Sequence, residues 1–165
     1  MRNFDTTLYF ITDSTNYTEE EFLRRVEEAL KGGVTLLQLR EKNRSTREYI
    51  DLAEKVHSIA RKYNVPLIID NTFATPVNCR PFEFGADIVT HSTTKYIDGH
   101  ACAIGGVVID SGNFNWNNGK FPGLTTPDDS YHGITYTERF GNAAYITKCM
   151  AQLSPLKISV LITMT

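Results

Sequence analysis

The sequence predicts an α/β fold, a mostly parallel sheet built from βαβ units and flanked by helices. Three observations predict it. Short apolar runs alternate with segments of helical periodicity up to about residue 70. The helical segments carry start and stop signals at their ends. The strand segments are apolar throughout, as strands covered by helices on both faces are.

Thr7–Thr12 (TLYFIT) reads as the first strand, bounded by Asp13-Ser14. Thr18 and Glu21 have capping-box spacing, and Phe22, Val26, Ala29 and Leu30 follow at helical intervals until Gly32-Gly33. Val34–Leu39 is the second strand. Ser45 and Glu48 repeat the capping-box spacing, and Tyr49, Leu52, Ala53, Val56, Ile59 and Ala60 make one apolar helix face. Val65–Ile69 is the third strand. Beyond residue 70 the rhythm loosens. A short helix is expected around Asn78–Phe84, ending at Gly85, then strands at Ala86–Thr90 and Gly106–Asp110. No helical pattern separates those two strands, so Gly106–Asp110 is expected antiparallel, at the sheet edge. Residues 111–135 read as a long loop, and a helix is expected near Glu138–Gln152. The tail, 153–165, has a weak strand-like pattern with no assigned place. The length suits one α/β domain over 1–165 with a single core.

The net charge of −2 argues against a nucleic-acid surface or a membrane-surface helix, both of which need clustered Lys and Arg. No apolar run is long enough to span a bilayer, and the opening Met-Arg-Asn-Phe-Asp does not read as a signal peptide. Cys79, Cys102 and Cys149 are odd in number and lack Cys-x-x-Cys spacing, which points to free thiols and a soluble, cytoplasmic protein. No metal site is expected: His91 and His100 bracket a lysine, with no further ligands at a recognisable spacing.

Two clusters carry chemistry. Gln38, Arg40 and Lys42 alternate along the end of the second strand, so period two puts them on one face. An amide, a guanidinium and an ammonium suit a phosphate or pyrophosphate; equally, they suit a solvated strand end with Glu41 as counter-ion. Ser92-Thr93-Thr94-Lys95 follows the fourth strand. Its lysine can form an imine with a carbonyl and its hydroxyls can bond a phosphate, or it is an ordinary exposed lysine in a turn. His57 reads as structural, and Cys102 as a small packed residue.

The stretch YFITDS…EEALKGGVTLLQLREKNRSTREYIDLAEKVHSIARKYNVPLII, about residues 8–69, resembles the first part of thiamine phosphate synthase. That TIM-barrel enzyme joins a pyrimidine diphosphate to a thiazole phosphate with Mg²⁺. The resemblance implies that Gln38, Arg40 and Lys42 form a pyrophosphate and pyrimidine site. The family continues with Asn-Asp-Arg, its Asp a magnesium ligand, whereas this chain has Asp70-Asn71-Thr72, so Mg²⁺ is not expected. About three of a barrel's eight βα units are present, so a closed barrel is not expected.

From about residue 66 to 150, DNTFATPVNCRPFEFGADIVTHSTTKYIDGHACAIGGVVID, GKFPGLTTPDDSYHGITY and FGNAAYITK resemble the O-acetylhomoserine sulfhydrylase and cystathionine γ-synthase family. These are fold-type-I pyridoxal-phosphate (PLP) enzymes of Cys/Met metabolism. The resemblance implies Lys95 as the imine-forming catalytic lysine, Ser92 and Thr94 on the cofactor phosphate, and Asp70 against the pyridine nitrogen. Asp98 and Ala101 depart from the family pattern. The family's glycine-rich phosphate loop, ring-stacking aromatic and carboxylate-holding arginine have no counterpart in this chain. Together the two resemblances imply a chimera. A thiamine-phosphate-synthase-like segment (1–69) is joined to a PLP-transferase-like segment (70–152) within VPLIID, a strand both families share. The expected architecture is then an open, flavodoxin-like sheet or part of a fold-type-I large domain. The expected function is PLP-dependent transsulfuration chemistry with little turnover; the alternatives are a non-catalytic scaffold with remnant motifs and a phosphate binder. The expected partners are a small-molecule ligand and another copy of the chain, with no nucleic acid and no membrane.

Overall fold

The computed structural model describes residues 8–41, 43–153 and 160–163. They form two compact units. The first holds the described residues up to Asp70 together with Pro81–Ala86; the second holds Asn71–Arg80 and the described residues from Asp87 onward.

In the first unit the elements run β1 (Tyr9–Ile11), α1 (Glu19–Lys31), β2 (Leu36–Leu39), α2 (Thr46–Lys62) and β3 (Leu67–Asp70). β2 pairs in parallel with β1 (Ile11 opposite Gln38) and with β3 (Leu39 opposite Ile69). Both helices start as the sequence predicts. The Thr18 hydroxyl accepts from the Glu21 N–H at 3.3 Å. At Ser45 the capping box is complete: its hydroxyl accepts from the Glu48 N–H, and the Glu48 carboxylate accepts from the Ser45 N–H at 2.8 Å. The core is the apolar faces of these helices, with Phe22, Val26, Leu30, Leu52, Val56 and Ala60 buried, together with Leu37 and Leu39 of β2.

β2 and β3 begin two residues later than their apolar runs do, and both for the same reason. α1 and α2 each end on a left-handed residue, Gly33 (φ 106°) and Asn64 (φ 50°). The next N–H closes back onto the helix, Val34 to the Ala29 carbonyl and Val65 to the Ala60 carbonyl. These are Schellman closures, and they use the two buried valines as the apolar contact after the cap. His57 is structural, as expected. Its ring lies where a Cβ at Gly85 (φ 87°) would come within 2.9 Å of Cε1, so the turn before the second unit needs a glycine.

In the second unit β4 (Ile88–Ser92) pairs antiparallel with β5 (Gly106–Asp110), Ile88 opposite Asp110 and Ser92 opposite Gly106. The antiparallel direction is as expected; the edge position is not. β6 (Val160–Thr163), from the tail, pairs in parallel with the other side of β5. The helix expected at Asn78–Phe84 is two pieces, α3 (Thr75–Asn78) and a 3-10 turn at Pro81–Phe84. Cys79 is extended, and Pro81 disfavours helical geometry at the residue before it. The helix expected at Glu138–Gln152 is also divided. α5 (Tyr136–Phe140) and α6 (Ala144–Leu153) flank Gly141, whose φ of 53° and ψ of −121° leave the helical region. The long loop contains α4 (Pro122–Thr125) and is packed by rings. Phe114 and Phe121 meet Trp116 edge-on, and Trp116 stacks on Tyr145 of α6 at 4.8 Å. Lys148 ties α6 to the loop, donating to the Gly123 carbonyl and to Asp128. The class is α/β with mostly parallel strand pairing. In the first unit, among the described residues, β1 pairs with β2 alone, so three parallel strands form an open piece and not a barrel.

Asp110 is an acid with no exposure to solvent at the end of β5. Its Oδ1 accepts from the Gly112 N–H at 3.0 Å, while Oδ2 has no hydrogen-bond partner among the described residues. Burial, reinforced by the nearby Asp87 charge and only partly offset by Gly112, pushes its pKa up to about 6. A carboxyl whose folded pKa lies above its unfolded one stabilises the fold while protonated. That contribution is complete below the unfolded value of 3.8 and lost as pH rises through about 6. Asp110→Asn, which keeps an acceptor for Gly112, is therefore expected to raise stability at pH 7.5 by about 2 kcal/mol. The gain should vanish near pH 4, as urea unfolding followed across that range will show.

Candidate functional site

The lysine turn is a short piece of backbone held from both sides. After Ser92 ends β4, the chain reverses through Lys95 N–H to Ser92 O (3.3 Å), Asp98 N–H to Thr93 O (2.9 Å) and Gly99 N–H to Lys95 O (2.8 Å). The Asp98 carboxylate, at a position where the family pattern has glycine, accepts from the Cys102 N–H at 2.8 Å. Thr94 clamps the turn to the start of β5. Its hydroxyl accepts from the Gly105 N–H at 2.8 Å and donates to the Gly105 carbonyl at 3.3 Å. A Cβ at residue 105 would sit 2.6 Å from Thr93 Oγ1, so any larger residue there requires the Thr93 side chain to shift.

The segment after β3 supports the turn from the other side. The Asn71 N–H donates to the Thr90 carbonyl at 2.9 Å and its side-chain amide to the Cys79 carbonyl at 2.9 Å. Thr72 Oγ1 accepts from the Ser92 N–H at 2.9 Å. Asn71 and Thr72 are buried; Phe73 beside them is exposed. The Lys95 ammonium lies 5.0 Å from the centre of the Phe73 ring, and Phe73 packs at a tilt against Tyr96 at 5.7 Å. Lys95 itself is exposed, Ser92 is half-buried, and the Ser92 hydroxyl makes no hydrogen bond among the described residues. The sequence singled out Ser92, Thr94 and Lys95, and they stand together here. It passed over Thr72 and Phe73, for which the only signal was the DNTF string itself.

In the first unit, Gln38 and Arg40 have different surroundings. Gln38 is buried, and its Oε1 accepts from the Tyr9 hydroxyl. Burial, then the Asp70 charge, raises the Tyr9 pKa. Arg40 is half-exposed, with Nε 3.7 Å from Asp70 Oδ2. Lys42 lies outside the described residues. Glu41 is occupied elsewhere: it accepts from Thr12 Oγ1 (2.9 Å), the Ser14 N–H (3.1 Å) and the Ser14 hydroxyl. Thr12 Oγ1 in turn accepts from the Arg40 N–H at 3.1 Å. No motif or spacing singles out this network of Thr12, Ser14 and Glu41. Among the described residues no group of three or more His, Cys, Asp and Glu side chains is arranged to hold a metal ion. No helix among them is long and apolar enough to cross a membrane.

The Cys/Met metabolism PLP-dependent enzyme family matches residues 2–133, and the chain belongs to it. An O-acetyl-L-homoserine sulfhydrylase from Leptospira meyeri is 47% identical over 111 residues, covering 62% of this chain and 25% of that protein. The chain thus spans about a quarter of the length of the curated relatives it matches. A Campylobacter jejuni structure named as an O-acetylhomoserine (thiol)-lyase, with N'-pyridoxyl-lysine-5'-monophosphate, superposes with a TM-score of 0.70 at 23% identity. It covers 93% of this chain and 43% of its own, and it supports the fold alone. A Pyrococcus furiosus thiamine phosphate pyrophosphorylase aligns over 52% of this chain and 38% of its own at 30% identity. Its TM-score of 0.42 is too low to carry an argument.

Thr94→Val removes both hydroxyl bonds to Gly105 while keeping the side chain's shape. It is expected to cost about 1–2 kcal/mol and to speed amide exchange at Gly105, read by hydrogen–deuterium exchange.

Proposed function

We propose that this protein binds pyridoxal 5'-phosphate through an imine to Lys95. Its nearest chemistry is that of the O-acetylhomoserine sulfhydrylases among its relatives. The observation that carries the reading is the lysine turn, where an exposed amine follows β4 on backbone held by Thr72 and Thr94. In kind, the residues present fit the cofactor. Lys95 offers an exposed amine for the aldehyde, and Ser92 a half-buried hydroxyl for a phosphate oxygen. Thr94, the other residue the resemblance assigns to the phosphate, already serves Gly105 with its hydroxyl; its first task is to hold the turn. Asp70 is the residue assigned to the pyridine nitrogen, where a carboxylate keeps the ring protonated. When bound, the cofactor supplies an electron sink for bonds at a substrate's α-carbon.

Low turnover is the expectation carried by this reading for a chain that spans about a quarter of the length of its curated relatives. We read the chain as a join of a thiamine-phosphate-synthase-like segment and a PLP-transferase-like one. Supporting this, one of the boundaries between the compact units falls between Asp70 and Asn71, beside the strand the two families share, although Pro81–Ala86 returns to the first unit. The exposed Val77, Tyr96, Ile97 and Ile104 support self-association in a cytoplasmic setting. Pyrophosphate binding at Gln38, Arg40 and Lys42 is less favoured, because Gln38 is buried against Tyr9 and Arg40 faces Asp70.

The test is an absorbance titration with PLP, run beside Lys95→Ala. A yellow imine band that saturates in the native protein and is lost in the variant is expected. An equal band in both, or none in either, overturns the reading and leaves a scaffold carrying remnant motifs. Sulfhydrylase rates comparable to a full-length relative would overturn the expectation of low turnover.

A further inference from the structure

Phe73 stands where no folding requirement explains it. Its ring is 64% exposed, although the two residues before it are buried and hydrogen-bonded. An exposed phenylalanine forgoes the stabilisation that burial of its ring provides, about 1.5–3 kcal/mol. The segment that carries it is nonetheless fixed, because Asn71 and Thr72 are bonded to Thr90, Cys79 and Ser92. The contacts of the ring are Tyr96, which sets its tilt, and the Lys95 ammonium 5.0 Å from its centroid. That distance lies within the range at which an aromatic face attracts a cation.

We infer that Phe73 is a positioning residue for Lys95, holding the ammonium on its ring face and so setting how readily the amine reaches an aldehyde. This rests on the reading of Lys95 as the imine lysine. An imine forms only from the neutral nitrogen. The ammonium gives its proton to solvent, the freed lone pair attacks the carbonyl carbon, the C=N bond forms and the carbonyl oxygen leaves as water. The ring quadrupole attracts the ammonium, so the nitrogen has to leave the ring face before its lone pair can reach the carbonyl carbon. A stronger ring face therefore means slower imine formation, and a side chain of similar size without a ring means faster.

The test compares Phe73→Leu, Phe73→Trp and the native protein in their rates of imine formation. Pyridoxal and PLP are used separately, each adduct being trapped with borohydride and placed at Lys95 by peptide mass. At pH 7.5 the leucine variant should react about two- to five-fold faster and the tryptophan variant more slowly than native. That ordering is the signature, since loss of mere packing slows or speeds both variants alike. Equal rates in all three, or a leucine variant slower than native with an unchanged thermal melt, overturn the inference. Should Phe73→Leu melt early, Phe73→Met repeats the comparison without a ring. The pyridoxal arm needs no phosphate site. The predicted order there, without a saturable Lys95 adduct from PLP, would sink the cofactor reading and leave the role of Phe73 standing. A saturable PLP adduct with no order among the variants would do the reverse.

Discussion

Two hydrogen bonds set the geometry of the second unit's reactive end. The Asn71 N–H reaches the Thr90 carbonyl, and the Ser92 N–H reaches Thr72 Oγ1. Both involve backbone at the end of β4, so the turn carrying Lys95 starts from a fixed point. A threonine hydroxyl meets a buried N–H that would otherwise go unsatisfied at a cost of about 1–3 kcal/mol. Thr94 repeats the device on the other side, where its hydroxyl serves the N–H and the carbonyl of Gly105. Two threonines thus tie an otherwise irregular turn into the ladder. The exposed Lys95 gains a defined origin without being packed itself.

The same economy explains what was legible in the sequence. Both long helices could be read, since their start and stop signals are local: hydroxyl caps, a glutamate three residues on, and a left-handed residue at the end. The strand starts were misplaced by two residues because Val34 and Val65 look like strand residues by type. They are spent closing the helices, a distinction that hydropathy does not encode. The antiparallel direction of β5 was legible because the stretch between it and β4 carries no helical pattern for a parallel crossover. Its second neighbour was not, because β6 comes from more than 40 residues downstream and long-range pairing leaves no local trace.

For the candidate site the division is similar. Ser92, Thr94 and Lys95 could be named from one contiguous string. The supporting residues Thr72, Phe73 and Gly105 come from other segments, and their roles depend on pairing between strands that sequence spacing does not report. Gln38 and Arg40 were legible as the end of a strand, and the parallel register keeps them on one face with Tyr9 and Asp70; Lys42 lies outside the described residues. Their partners, Tyr9 for Gln38 and Asp70 for Arg40, come from neighbouring strands that periodicity cannot supply.

The Arg40–Asp70 ion pair lies within the first unit. The two resemblances assign these residues to different ligands, yet in this chain each is the other's ionic neighbour. If the pair were buried and well aligned, Asp70 would be committed to the guanidinium, and a pyridine nitrogen would have to displace it at a cost of several kcal/mol. The geometry says otherwise. The separation is 3.7 Å through Nε alone, with the arginine side chain 47% exposed and the aspartate 27%. Exposed pairs of this kind are worth about 0–1 kcal/mol and weaken further with salt. The ion pair is therefore too weak to commit the Asp70 carboxylate to Arg40.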